Sequence, residues 1–224
     1  MYNILSMIKE NISRVKHRIE QVCGKVKTDP DKVTLVCVTK GRTVAQILEA
    51  VSLGLKHIGE SRVQEALEKY SQISGVTWHM IGHLQSNKVK EAVKIFDLIH
   101  SVDSVSLAQE INKQALKINK VQGILLEIKT SGEASKSGFA LQDLSEVWSE
   151  IKKLKNVRIK GLMTIAPIVS DVEAARPYFS ELRQLRDKLN SEWLLSMGMS
   201  DDFEVAIAEG ADIIRLGRAI FSRQ

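Results

Sequence analysis

The first apolar positions of the chain, Leu5, Ile8, Ile12, Val15, Ile19 and Val22, recur at alternating steps of three and four. That spacing puts them on one face of a helix. The pattern then changes to short, nearly continuous apolar runs rich in β-branched residues, each followed by an amphipathic stretch. The runs are VTLVCV from Val33, KHIG from Lys56, VTWHMIG from Val76, DLIHSV from Asp97, GILLEIK from Gly123, IKGLMTI from Ile159, WLLSMG from Trp193 and ADIIRLG from Ala211. The intervening stretches read as helices from Val44, from Val63, near Asn87, and over Leu107 to Ile118, Leu141 to Leu154, Val172 to Leu189 and Phe203 to Ala208, with a short closing segment.

Eight strand-helix pairs with short connections and strands apolar on both faces predict parallel strands covered by helices. The fold class expected is α/β, a single (β/α)8 TIM barrel with an extra N-terminal helix. An open doubly wound sheet would carry a glycine-rich fingerprint at its first strand-turn-helix, but that turn here is VTKGRTV, with one glycine. The 224 residues suit one barrel, whose usual size is about 250. No Gly/Ser/Pro-rich linker divides them. Residues 1–224 are therefore expected to form one domain, with 1–27 as the helix packed on the barrel.

Composition narrows the function classes. Hydrophobic residues at 44% and charged residues at 26% describe a globular chain that buries a core. The net charge of +5 raises nucleic acid as a partner, but the basic residues are spread among acids at helical spacing and only 5% of residues are aromatic. Solvated helix faces account for them better than a nucleic-acid surface. Two cysteines, Cys23 and Cys37, suggest no disulfide framework and fit a reducing cytoplasm. The N-terminus lacks the pattern of an export signal, and nowhere do about 18 apolar residues run together, so no membrane role is expected.

In a barrel of this kind the active face is built at the strand C-termini. The rim candidates are Lys40, Gly59 to Ser61, Gly82 and His83, Ser101 and Asp103, Thr130 and Ser131, Met163 and Thr164, Ser196 to Ser200, and Arg215 to Gly217. Lys40 directly follows an apolar strand; a desolvated lysine amine loses its proton readily and attacks carbonyls to form a Schiff base. The alternative is a lysine snorkelling from a strand end. Loops 7 and 8 are the usual phosphate site of the fold. There Ser200 is expected to cap a helix whose first turn holds Asp201 and Asp202, as an anion site or as an ordinary cap. Arg215 ends the last strand and would face a cofactor ring or pair with an acid such as Glu60. His79 and His83, four apart, span about 13 Å on a strand, too far for one zinc ion, and no metal is expected.

Taken in order, VTK ending at Lys40, WHMIGHLQSNK from Trp78, HSVDS from His100, SGEASKSGF from Ser131, GLMTIAP from Gly161 and LSMGMSDDFEVAIAEGADIIRLGRAIF from Leu195 resemble the pyridoxal phosphate homeostasis proteins, the YggS/PROSC family. The resemblance covers almost the whole chain. It implies a barrel like the alanine racemase N-terminal domain, pyridoxal 5'-phosphate held as a Schiff base on Lys40, and a cytoplasmic role in vitamin B6 and amino- and keto-acid homeostasis. It also implies that Ser200 and the backbone near Gly217 hold the phosphate and that Arg215 lies by the ring. Met199, Arg218, Ser61, His83 and Met163 complete the expected cofactor site. The family's usual residues differ at Thr43, Ser61, Arg62, Arg218 and Ser222, so the contacts from loop 2 and one hydroxyl contact to phosphate change; Arg218 would replace the latter with a charge-assisted bond.

Three functions compete. The first is a protein that binds and buffers pyridoxal phosphate without evident turnover, with amino acids and cofactor-accepting apo-enzymes as further partners and the chain acting as a monomer. The second is a free-standing amino-acid racemase, which needs two bases on opposite faces of the cofactor; the few residues after Gly217 leave the second base without a source. The third, a Schiff-base aldolase on a phosphorylated sugar, shares the lysine and phosphate site but not the motifs.

Overall fold

The computed structural model describes residues 4–130 and 137–222. Helix α1 (Ile4–Val26) leads into β1 (Thr34–Val38), α2 (Val44–Ser52), β2 (His57–Glu60), α3 (Val63–Tyr70), β3 (Thr77–Met80), α4 (Val89–Ile95), β4 (Leu98–Val102) and α5 (Val105–Lys117). The second half contributes β5 (Gln122–Glu127), α6 (Leu144–Ile151), β6 (Val157–Met163), α7 (Arg176–Leu189), β7 (Leu194–Ser196), α8 (Phe203–Ala208), β8 (Ile213–Leu216) and α9 (Arg218–Phe221). The eight strands pair in chain order, all parallel, and β1 closes on β8 with Val36 opposite Arg215 and Cys37 opposite Leu216. The expected closed barrel and its extra helix are both present.

The apolar stripe of α1 works as its spacing demands. Ile8, Ile12, Val15, Ile19 and Val22 are all buried, and the helix lies against α8 and α9. Polar contacts fix its register: Asn11 Nδ2 donates to the carbonyls of Ile220 and Ser222, both at 3.0 Å, and Arg18 forks onto Glu204 at 3.0 and 2.7 Å over the ring of Phe203. Helix starts depart from the periodicity where the chain first makes a 3-10 turn, at Ser86–Lys88, Leu141–Asp143 and Val172–Ala175. Ser104 caps α5 through Leu107 N, which begins that helix two residues earlier than its apolar stripe. Cys23 and Cys37 are buried free thiols, and burial pushes the Cys37 thiol up to about 12. Among the described residues no helix is long and apolar enough to cross a membrane.

Two cores are distinct. The larger lies between strands and helices; the smaller is the layer inside the barrel, Val36, Leu125, Met163 and Ile213. Parallel strands brought this close tolerate little bulk at some crossings. At Gly161 of β6, a Cβ would stand 1.9 Å from the Leu194 carbonyl oxygen of β7, so the β6–β7 pairing requires glycine. Gly161→Ala is expected to lower stability by at least about 1–3 kcal/mol, the cost of forced overpacking, read as a lower urea midpoint; an unchanged midpoint would mean that β7 shifts freely.

Candidate functional site

The C-terminal rim of the barrel gathers most of the expected residues, and its centre is the seam where the first strand meets the last. Gly217 packs against Val38, so Lys40, two residues past β1, stands beside the turn that follows β8. Thr39 takes the buried position after the strand and Lys40 is exposed. The amine therefore does not emerge from the apolar core as the sequence suggested; the chain turns outward at Thr39, and Lys40 reaches over a cleft of about 990 Å³ shared with Ser61, Arg62, Met80, His83 and Lys88.

An ionic cluster holds the backbone on both sides of Lys40. Lys69 of α3 is buried and donates to the Thr39 carbonyl at 2.8 Å, to Glu60 Oε1 at 2.7 Å and to Glu65 Oε1 at 2.6 Å. Thr39 Oγ1 donates to Glu60 Oε1 at 2.6 Å, and the Gly41 amide donates to Glu65. Burial raises the Glu60 carboxyl above its usual range, against the pull of Lys69 and Thr39. At Glu65 burial also pushes upward, but Lys69, the Gly41 amide and Arg62 together bring it below its usual value. Glu60 thus pairs with Lys69 and not with Arg215.

Arg215 is buried inside the barrel mouth. Its Nη1 donates to Ser196 Oγ at 2.6 Å and its Nη2 to the Thr164 carbonyl at 3.0 Å. Burial lowers its pKa to about 10, with Glu127 and Asp202 acting the other way, so it remains a cation at neutral pH. Both acids are raised by burial, each being drawn back in part by Arg215. Thr164 Oγ1 is itself held, donating to the Ile128 carbonyl and sharing a 2.9 Å bond with Thr130.

The loop after β7 differs from the expected cap. Helix α8 begins at Phe203, and Ser200 Oγ instead accepts from the Ala219 amide at 3.2 Å, at the start of α9. Ser200 therefore bridges loops 7 and 8 and does not cap the helix of its own loop. The reason lies in Gly198: its φ of +92° turns the chain sharply, and a Cβ there would lie 2.6 Å from that of Ala206. Asp202 closes the turn, accepting from the Met199 amide at 2.6 Å. Arg218 pairs with Asp201 in solvent, each side chain 70% exposed, a pair that contributes little to stability.

The remaining candidates divide. Ser61 lines the cleft. His83 is exposed and pairs with Asp103 at 3.1 Å. Met163 is fully buried in the interior layer with Val36, Leu125 and Ile213, where it supports the rim from below instead of lining the cleft. Ser131 and the rest of SGEASK lie outside the described residues. His79 does not converge with His83: both its ring nitrogens are bonded to other histidines, Nε2 to His57 Nδ1 at 3.0 Å and Nδ1 to His100 Nε2 at 2.8 Å. His100 Nδ1 continues to Ser196 Oγ at 2.9 Å. Sequence reasoning missed this row and Lys69, although one histidine in each of three successive apolar strands was a visible signal.

Comparison with known proteins bears on this geometry. A family model described as alanine racemase, N-terminal domain, matches residues 5–223. The pyridoxal phosphate homeostasis protein of Aquifex aeolicus (strain VF5) is 43% identical over 222 residues, covering 96% of this chain and 97% of its own. That of Escherichia coli (strain K12) is 34% identical over 223 residues, covering 96% and 95%. The solved structure of PipY from Synechococcus elongatus PCC7942, with PLP bound, superposes with a TM-score of 0.84 at 34% identity, covering 96% of this chain and all of that one. Alanine racemase from Clostridium difficile 630 shares the fold at 14% identity, with a TM-score of 0.78, and this chain spans 60% of it.

The Lys69 cluster carries a prediction. Lys69→Met leaves the fully buried Glu60 without its cation, and breaking a buried pair from one side costs about 3–5 kcal/mol. Glu60→Gln added to Lys69→Met is expected to recover part of that loss, because no buried charge is then left unpaired. Urea denaturation of wild type and the two variants checks this; equal stability of the single and double variants would show that Glu60 is protonated throughout.

Proposed function

Because the chain belongs to the pyridoxal phosphate homeostasis proteins, we propose that it binds pyridoxal 5'-phosphate covalently at Lys40 and buffers that cofactor without turning over a substrate. The observation that supports this reading is the pairing of β1 with β8 and the packing of Gly217 on Val38, which put on one seam the elements that carry three chemistries: an accessible amine at Lys40, a buried guanidinium at Arg215 and the hydroxyl of Ser200 with the amides of Gly217 to Ala219. These groups fit the cofactor's aldehyde, ring nitrogen and phosphate respectively. When bound, the cofactor supplies an electron-withdrawing ring conjugated to an imine carbon.

Each residue has a physical task in this reading. Lys40 would condense with the aldehyde, with loss of water, from a backbone fixed on both sides by Lys69 and Glu65, so the amine moves while its base stays still. Ser200 and the amides at the start of α9 receive the phosphate; Met199 and Gly217 shape the turn, and Arg218 exchanges its solvent pair with Asp201 for the phosphate when it binds. Ser61 and His83 border the side of the cleft away from the phosphate cradle, where an amino acid would enter. Arg215 faces the ring nitrogen as a donor. A fixed cation there raises the energy of the protonated pyridinium and makes the ring a poorer sink for a carbanion. Among the described residues the cleft lining includes no tyrosine, and Tyr70 lies tilted against Trp78, so a tyrosine to serve as second base for racemisation is not among them. Recipient apo-enzymes and free amino acids are the partners this function calls for, and the two unpaired thiols suit a reducing cytoplasm.

Borohydride reduction of the loaded protein followed by peptide mapping is expected to place the cofactor on the peptide containing Lys40, and Lys40→Ala to abolish covalent retention with an unchanged circular dichroism spectrum. A label on Lys88 would overturn the assignment. Incubating loaded protein with each L-amino acid in deuterated water should show no rapid exchange of the α-proton by NMR; fast exchange with inversion, lost in Lys40→Ala, would establish a racemase.

A further inference from the structure

The row of histidines noted above begins at the opposite face of the barrel from Lys40. His57 is the first residue of β2 and lines a cleft of about 600 Å³ on the barrel floor, with Lys16, Glu20 and Asp31 nearby. From it the bonds run inward through His79 of β3 and His100 of β4 to Ser196 of β7, and end on the Arg215 guanidinium. His79 and His100 are buried, and His100 and Ser196 have no solvent exposure.

A neutral imidazole has one donor and one acceptor nitrogen, so three in a row must all point the same way. Burial holds all three below their usual pKa. His79 is lowered to about 3 by burial and then by His57, and His100 is held well below the usual range by burial, then by neighbouring His79 and Arg215; at His57 burial leads, with Asp97 opposing it and Lys56 reinforcing it. The direction is then fixed at the Arg215 end. A guanidinium only donates, so Ser196 Oγ accepts from it, and the hydroxyl proton of this fully buried serine needs an acceptor of its own. His100 Nδ1 is the acceptor within reach. His100 therefore carries its proton on Nε2 and donates to His79 Nδ1, and His79 in turn donates from Nε2 to His57 Nδ1. The reverse sense would leave the Ser196 proton buried without a partner.

We propose that His57, His79 and His100, all protonated on Nε2, are positioning residues that hold Ser196 as an acceptor for Arg215 and so fix the guanidinium against the cofactor's ring nitrogen. The chain's polarity stands on the apoprotein geometry alone; its use for the cofactor rests on the function proposed above. The row also connects strands β2, β3, β4, β7 and β8 across the barrel interior, so a change at the floor reaches the rim through five bonded groups.

The experiment separates the two parts. In cofactor-free full-length protein labelled with ¹⁵N at histidine, long-range ¹H–¹⁵N spectra are expected to show three rings with protonated Nε2 and bare Nδ1, His79 and His100 keeping that state at pH 5. Ser196→Ala removes the group that sets the direction and should bring His57, three links away, to a mixture of tautomers, whereas Ser196→Thr should preserve the wild-type pattern. Protonated Nδ1 in the wild type, or a His57 ring unmoved by Ser196→Ala, would overturn the proposed polarity. In loaded protein, His79→Leu should shift the cofactor's absorption maximum and weaken retention at least threefold, while His79→Gln, which keeps a donor and an acceptor, stays within twofold of wild type. Wild-type retention and spectrum in His79→Leu would overturn the positioning role even if the tautomers are as assigned. A cofactor found away from Lys40, with the tautomers intact, would instead sink the proposed function and leave the chain's polarity standing.

Discussion

A guanidinium placed inside a barrel has to be solvated by the protein, and the architecture around Arg215 follows from that requirement. Removing a charge from water costs several kcal/mol even after relaxation, so three other strands supply compensating groups: Ser196 from β7, the Thr164 carbonyl after β6, and the charge of Glu127 from β5. These groups need partners of their own. Ser196 recruits His100, and Thr164 recruits Thr130 and the Ile128 carbonyl. A polar network inside an apolar barrel stabilises only when its members are satisfied, which is why it extends to the floor and does not stop at the first shell of contacts.

The cation also explains the division of labour on the rim. Arg215 is immobile and buried, whereas Lys40 is exposed at a turn. The lysine is controlled from behind, through its neighbours' backbone: Lys69, Glu60 and Glu65 grip Thr39 and Gly41 and leave the amine untouched. In the function proposed above, a clamp on the amine itself would compete with an incoming aldehyde. A clamp on the flanking peptide orders the stem and leaves the amine free.

The alternation of short β-branched runs with amphipathic stretches made the barrel legible, because period and length separate buried strands from surface helices. The stripe from Ile8 to Val22 located α1 for the same reason. The rim was legible as a set of positions: Lys40, Ser200, Arg215 and Gly217 all lie on it. Their partners were not. Ser200 was expected to cap the helix beside it, but it bonds to Ala219, nineteen residues away, a contact set by barrel closure and the turn at Gly198. Lys40 was read as desolvated because the strand before it is apolar, yet a single residue, Thr39, takes the buried position. The histidine row joins residues 22, 21 and 96 positions apart in successive links. Local periodicity carries no information about which inward positions of different strands share a layer.

Closure of the barrel places Val38, near the beginning of the chain, against Gly217, near its end. Synthesis proceeds at roughly 5 to 20 residues per second, so on the ribosome the first strand waits on the order of ten to forty seconds for its last neighbour. Throughout that interval β1 has a bare edge, and Lys40 has neither Arg215 nor the α9 amides beside it. The proposed site is completed last, by the same event that removes the exposed sheet edge. If Lys40 holds the cofactor as proposed, a nascent or truncated chain with its lysine already in place is still only half a binding site, and capture of the ligand would mark a finished molecule.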